Sequence, residues 1–450
     1  MKEACPISQF HATEAEVLKA IRSFPAGSCG GPDGIRPQHV LDLVNCAESG
    51  SNVLAAITSF VNTLLAGKCH PAVRPILFGG NLIALDKKCG GIRPIAIGYV
   101  WRRLAAKCAN AFAASKLVSY FSPLQVGVSV PSGCEAAIHA ARRFTDSLLP
   151  GQAVIKLDFA NAFNSLHRDK MLTAVRNFIP EIYEFCFLSY GMSSSLRFGD
   201  YLIPSQEGAQ QGDPLGPLLF CLTIQPLLQS LSSKFAIGYL DDLTLGGVEE
   251  VLAADVAQIR EQGEALGLKL NINKCEFIND NATSSAPIFQ DFIKLVPGNS
   301  MLLGAPLRSG KAMDTALTKR CDDLALAISR LKTLPSHDAL VLLKASFSAP
   351  KVLHTIRSSP CVGHPALANF DSLQRSGLCL ITNSNLSDNQ WLQASLPVKD
   401  GGLGVRRVAS LASSAFWLLP QAPAPFRISS FHGVTLAPMC LCLASLISGQ

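Results

Sequence analysis

The stretch "IGYLDDLTL" at residues 237–245 constrains the fold of this chain more than any other. Apolar and aromatic residues flank two adjacent carboxylates, Asp241 and Asp242, so the segment reads as strand, tight turn, strand, with the acids at the tip. Two like charges side by side are costly wherever water is scarce. The turn is therefore either wet and structural, since aspartate is a favoured turn residue, or a place where something cationic binds.

The surrounding chain is built to fold. Its 450 residues correspond to roughly two to four domains or subdomains. A composition of 48% apolar and 16% charged residues argues against extensive disorder. The net charge of +6 is compatible with a polyanionic partner but too dilute for a dedicated nucleic-acid binder. Fifteen cysteines occur without a single CxxC pair, which reads as reduced thiols of an intracellular protein, in nucleus or cytoplasm, and not as a zinc knuckle. The N-terminus lacks the apolar core of a secretory signal. No run approaches the roughly 18 to 20 apolar residues of a membrane span, so no membrane partner is expected.

Strand and helix patterns alternate up to about residue 307. Residues 1–24 read as helical, and "SCGGPDGIRPQHVLDLV" (28–44) as a glycine-rich loop leading into a helix with Pro37 in its first turn. "NLIALDKKCGGIRPIAI" (81–97) reads as a hairpin around a basic turn. Ser132 and Glu135 stand at capping-box spacing, predicting a helix start near Ser132. "AVIKLDFANAFNSLHRDKML" (153–172) begins as a strand ending near Asp158 and turns helical. In "EGAQQGDPLGPLLFCLTIQPLLQSL" (207–231), Asp213 is the expected N-cap and Pro214 the first helical residue. A helix is expected from about Glu249 to Leu266, a strand over "LKLNINKCEFI" (268–278) and another over "MLLGAPL" (301–307). Helical patterns dominate beyond 308, and "PQAPAPFR" (420–427) reads as a proline-rich linker.

Nucleotidyl transfer from a triphosphate uses two divalent metals about 4 Å apart, and magnesium takes one or two protein carboxylates besides water and phosphate. One aspartate at a strand end, beside a hairpin carrying another at its turn, suffices. Asp158 and the pair Asp241/Asp242 supply that set.

"VIKLDFANAFNSLHRD", "EGAQQGDPLGPLLFCL", "IGYLDDLTL", "LGLKLNINKCEFI" and "LLGAPL" follow the order and spacing of the palm motifs of reverse transcriptases. The upstream "GPDGI" and "LIALDKKCGGIRPIAI" resemble the finger motifs of the non-LTR retrotransposon branch. The resemblance covers residues 28 to 307 closely and the region beyond more loosely. It implies an α+β, right-hand polymerase: N-terminal extension and fingers over 1–150, palm with an antiparallel sheet over 151–307 (including part of the fingers), helical thumb or connection over 308–418, and a tail over 419–450.

The resemblance also implies roles. Asp158 and Asp241 would be the main metal ligands, with Asp242 adjacent and the Phe159 carbonyl a further oxygen donor, for two Mg2+ ions or Mn2+ in their place. Phe163 would lie beneath the sugar of the incoming nucleotide, and Gln211 and Gly212 would contact it. Lys87, Lys88 and Arg93 would grip the triphosphate. Lys274 would protonate the departing pyrophosphate, and Leu303 and Gly304 would form the turn that holds the primer end. Asp213 and Pro214 are assigned to capping and not to catalysis. The implied partners are an RNA template, a DNA primer and deoxynucleoside triphosphates (dNTPs), with any endonuclease supplied by a missing domain or another chain. Leu240 stands where the family more often has alanine. An RNA-directed RNA polymerase and an inactive remnant that binds nucleic acid are the competing readings. "LPVKDGGLGVRRV" (396–408) resembles a downstream stretch of related element proteins without an assigned role.

Overall fold

The computed structural model describes residues 9–87 and 90–417. Lys88, residues 1–8, the expected proline-rich linker and the tail lie outside the described residues. In chain order the strands are β1 (Gly80–Asp86), β2 (Ile92–Gly98), β3 (Gln152–Leu157), β4 (Ser194–Phe198), β5 (Tyr201–Ser205), β6 (Phe235–Tyr239), β7 (Asp242–Val248), β8 (Glu276–Ile278), β9 (Ile293–Leu295), β10 (Met301–Leu302) and β11 (Ala305–Pro306). Helices connect them and take over completely from Lys311.

The central sheet has the order β6-β7-β3-β8-β9, antiparallel except for the parallel pair β8 and β9. β3 lies in its middle with Ala153, Val154 and Ile155 buried, which is why it reads as a continuous apolar run. The helix Gly216–Gln229 is apolar on every side, with Leu218 through Gln225 all buried, as a helix enclosed in a core must be. A second sheet, of order β2-β1-β4-β5, joins the antiparallel β1–β2 hairpin to β4 through a short parallel contact at Gly80↔Leu196 and Asn81↔Arg197. One apolar core runs from Ala12 to Phe292 and joins the central sheet to the helices packed around it. A separate core runs from Met313 to Ala412 and is built mainly from helices, with no strand contributing among the described residues.

Four sequence expectations need correction. Ser132 precedes the helix Gly133–Asp146 but sits at φ 54° and makes no side-chain cap; Glu135 pairs instead with Arg357 at 3.0 Å. Asp213 and Pro214 do not open the next helix, which starts at Gly216 with a proline in its first turn. One oxygen of the Asp213 carboxylate still accepts the Leu215 N–H at 3.0 Å ahead of that helix, while the other forms a buried ion pair with Arg102 at 2.9 Å and accepts the Tyr190 hydroxyl at 2.6 Å. "LKLNINKCEFI" is a strand only over Glu276–Ile278, after one bridge at Phe159↔Leu270 and a tight helical turn over Ile272–Lys274. β3 ends at Leu157, so little edge remains for a longer partner. The segment over 1–24 is helical only across Glu14–Arg22, among the described residues, with Pro25 close behind.

The hairpin of β4 and β5 was not anticipated, because Tyr201 to Pro204 are all exposed and show no alternation of burial. Arginines anchor it: Arg74 donates to the Leu188, Met192 and Ser193 carbonyls at 2.7–2.8 Å, and Arg168 to Ser205 and Gly208 carbonyls at 2.8 and 2.9 Å. "LPVKDGGLGVRRV" gains a structural role. Val405 and Val408 are buried in the helical core, and the Asp371 carboxylate accepts the Val408 and Ala409 N–H groups at 2.6 and 3.1 Å, capping the helix Val408–Trp417. No helix of the described residues is long and apolar enough to cross a membrane.

Candidate active site

The β6–β7 hairpin closes on the pair Tyr239↔Asp242, leaving Leu240 and Asp241 as a two-residue turn. Leu240 has φ 59°, the left-handed region in which hairpin turns usually place glycine. On the other side of β7, the last pair with β3 is Leu157↔Leu243. Asp158 and Asp242 are each one residue beyond it and therefore face each other across the two strands. Strand register thus delivers acids from distant segments to one end of the sheet.

Their electrostatics match their placement. Burial pushes the Asp241 carboxyl up, and the Asp158 charge adds to this while the Arg93 guanidinium opposes it. Burial, then the Asp241 charge, push Asp242 up to about 6, with Lys156 pulling the other way. Among the described residues, no three His, Cys, Asp or Glu side chains already stand close enough to hold a metal. The donors present are nonetheless hard oxygens whose mutual repulsion a divalent cation relieves, which fits a magnesium-type ion completed by water and phosphate oxygens. Phe159 is buried as a side chain. The hydrogen bonds of its bridge run from Ala160 N–H to Lys269 O and from Asn271 N–H to Asp158 O, so neither uses the Phe159 carbonyl.

A cavity of about 300 Å³ beside the turn is lined by Asp158, Asp242, Lys274, Lys156, Glu276 and Leu302, among others. Lys274 is exposed on the tight turn Ile272–Lys274. Lys156 was not anticipated as part of this site; it is half-buried and paired with Glu276 at 2.9 Å. Its signal in the sequence was a lone lysine within the apolar strand "AVIKL".

The other expected residues fall into three places. Arg93 is exposed on β2 and near enough for its charge to act on Asp241. Lys87 begins the hairpin turn, its N–H donating to the Gly91 carbonyl at 2.9 Å. Gln211 lends its carbonyl to the Ala96 N–H at 2.7 Å, and Gly212 has φ 118°. A Cβ on Gly212 would come within 2.3 Å of the Ala96 carbonyl oxygen, so only glycine lets the loop cross β2 there. Phe163 is half-buried with its ring 4.8 Å from that of Phe220. Leu303 and Gly304 form a turn between β10 and β11, with φ 47° and 81°, and the His354 ring hydrogen-bonds the Leu303 carbonyl at 3.0 Å.

The raised Asp242 pKa carries a stability consequence. A carboxyl that titrates near 6 when folded, against an ordinary 3.8, destabilises the fold above that range and not below it. In EDTA at about pH 7.5, Asp242→Asn is expected to be more stable than the parent by on the order of 1 kcal/mol, after discounting for the solvent that reaches this side chain. The advantage disappears as the pH falls through 6 towards about 4. Urea unfolding at both pH values checks this.

A carboxylate-bearing hairpin set against a strand-end carboxylate, with a two-stranded hairpin carrying Lys87 and Arg93 and a separate helical core later in the chain, is the α+β arrangement expected of a right-hand polymerase. Residues 85–295 match the family described as "Reverse transcriptase (RNA-dependent DNA polymerase)". The chain is 27% identical over 421 residues to the retrotransposable element SLACS 132 kDa protein of Trypanosoma brucei gambiense, covering 89% of this chain and 34% of that protein. It is 25% identical over 280 residues to the retrovirus-related Pol polyprotein from type-2 retrotransposable element R2DM of Drosophila melanogaster, covering 55% of this chain and 24% of the other. The chain is thus similar over residues 85–295 to reverse transcriptases and, over longer stretches, to proteins of retrotransposable elements, and it spans about a third or less of the length of these relatives. A solved Candida albicans telomerase in complex with a fragment of telomeric RNA overlaps 77% of this chain and 68% of its own at 12% identity and a TM-score of 0.39, too distant to carry an argument.

Proposed function

We propose that this chain is an RNA-directed DNA polymerase of a mobile element, adding dNTPs to a primer 3′-hydroxyl on an RNA template. The observation that carries this reading is the strand register that sets Asp158 against Asp242 with Asp241 at the adjoining turn. Two Mg2+ ions, or Mn2+ in their place, held by Asp158, Asp241, Asp242 and the Phe159 carbonyl, would activate the hydroxyl and neutralise charge on the triphosphate. Lys87, Lys88 and Arg93 would bind the phosphates, and Gln211 and Gly212 would border the nucleotide. Lys274, in the same cavity as Asp158 and Asp242, would give its proton to the departing pyrophosphate. Leu303 and Gly304 would hold the primer end. In this reading the core from Ala12 to Phe292 serves fingers and palm together, and the helical core beyond is the thumb. The work is intracellular, and strand cleavage at the target falls to an endonuclease outside these residues.

Primer extension on an RNA template with purified protein, in Mg2+ and in Mn2+, tests the proposal. Extension with dNTPs is expected. Its absence under all metal conditions overturns the enzyme reading and leaves a nucleic-acid-binding protein.

Phe163 separates DNA from RNA synthesis. A ring under the sugar leaves no room for a 2′-hydroxyl. Phe163→Val is expected to improve the kcat/KM ratio for ribonucleotides over dNTPs by on the order of 100-fold, equivalent to about 3 kcal/mol of relieved steric exclusion. Competition assays with matched nucleotide pairs read that ratio.

A further inference from the structure

We infer that Gln125 is the positioning residue of the Asp241–Asp242 turn, holding Leu240 in the left-handed conformation that aims both carboxylates; this inference rests on the polymerase reading. A leucine at φ 59° is strained, and a two-residue turn has nothing of its own to keep it there. The restraint comes from outside. Gln125 Oε1 accepts the Leu240 N–H at 2.9 Å, and Gln125 Nε2 donates to the Leu240 carbonyl at 3.2 Å. One amide therefore fixes both backbone groups of the strained residue.

The support for that amide is rigid. Oε1 also accepts the Gly127 N–H at 3.0 Å, and the Gln125 residue is 0% exposed, so water does not compete for these bonds. The segment carrying it is docked on β6 by two backbone bonds: Gly238 N–H to Leu124 O at 2.6 Å and Val126 N–H to Gly238 O at 2.8 Å. β6 is the outermost strand of the central sheet, so this segment braces the side of the hairpin that no strand covers. Gly127 makes the approach possible, because a Cβ there would stand 2.4 Å from the Leu240 nitrogen and 2.9 Å from its Cγ. A buried glutamine with three such bonds is a geometric device, since an apolar side chain of equal volume would fill the space without orienting anything.

Gln125→Met keeps the volume and removes all three bonds. In the full chain it is expected to lower kcat for primer extension by about 30-fold or more and to weaken Mn2+ binding, read from the electron-paramagnetic signal of the free ion, by about fivefold. Template–primer affinity should stay within about twofold. Adding Leu240→Gly to Gln125→Met should recover kcat by at least about fivefold, because glycine adopts positive φ without strain; a residue needed only for folding would show no such recovery. A kcat for Gln125→Met within about threefold of the parent, or no recovery with Leu240→Gly, overturns the inference. If Gln125→Met does not fold, Gln125→Glu keeps the acceptor and loses the donor; parental kcat and Mn2+ affinity in that variant overturn it equally. A parent chain that neither extends primers nor binds Mn2+ overturns the polymerase reading itself, and the inference with it.

Discussion

Asp241→Asn is expected to lower primer extension by about a thousandfold or more, a loss of roughly 4 kcal/mol of transition-state stabilisation. Asp241 occupies the second position of the hairpin turn, where burial and the Asp158 charge both act on it, so an amide there removes a negative charge that nothing else in the turn replaces. Asp242 opens β7 and stands more open to solvent than Asp241, though the sheet end still partly encloses its carboxyl, and Asp242→Asn should cost less, on the order of tenfold, because water can take over part of its role. Single-turnover extension at saturating dNTP measures both. Template–primer affinity should change by less than about twofold in either variant, since phosphate contacts dominate such binding. A larger loss in Asp242→Asn than in Asp241→Asn would reverse the division of labour between the two acids.

The second large effect concerns stability. Arg102 and Asp213 form an ion pair whose side chains are each 3% exposed, and the guanidinium also reaches the Phe78 carbonyl and the Gln210 side chain. Burial first, and then the Asp213 charge, push the Tyr190 hydroxyl far above its ordinary range, leaving it a proton to donate to that carboxylate. Removing one partner strands a buried charge. Arg102→Met and Asp213→Asn are each expected to destabilise the unit built on the core from Ala12 to Phe292 by about 3–5 kcal/mol. The double variant Arg102→Met/Asp213→Asn should lose less than the sum, because it leaves no unpaired charge. Urea unfolding of the three proteins gives the coupling directly. Since this network holds the loop of Gln211 and Gly212 against β2, partial unfolding there should abolish extension before the helical core melts.

The candidate site was legible in the sequence where local pattern carried the information. Apolar runs on each side of "DD" predict a hairpin, and the hairpin exists with Asp241 in its turn and Asp242 as the first residue of the returning strand. The β1–β2 hairpin around the glycine pair and the helix Glu249–Ala265 were legible for the same reason. Expectations failed where a side chain had a distant partner stronger than the local one. Ser132 with Glu135, and Asp213 with Pro214, both fit capping patterns, yet Glu135 is taken by Arg357, and Asp213 divides its carboxylate between the Leu215 N–H ahead of the helix and the distant Arg102. The β4–β5 hairpin escaped because buried arginines hold it in place of apolar alternation.

What the sequence by itself determined is the inventory: acids at a strand end and at a turn, a basic hairpin, and a motif order that resembles that of reverse transcriptases. Only the tertiary structure decided how these meet. The pairing of β7 with β3 brings Asp158 opposite Asp242 across a separation of more than eighty residues in the chain, and Gln125 reaches Leu240 from 115 residues away. Strand register and buried side-chain hydrogen bonds are set by the packing of whole elements, and no local window of sequence contains both partners.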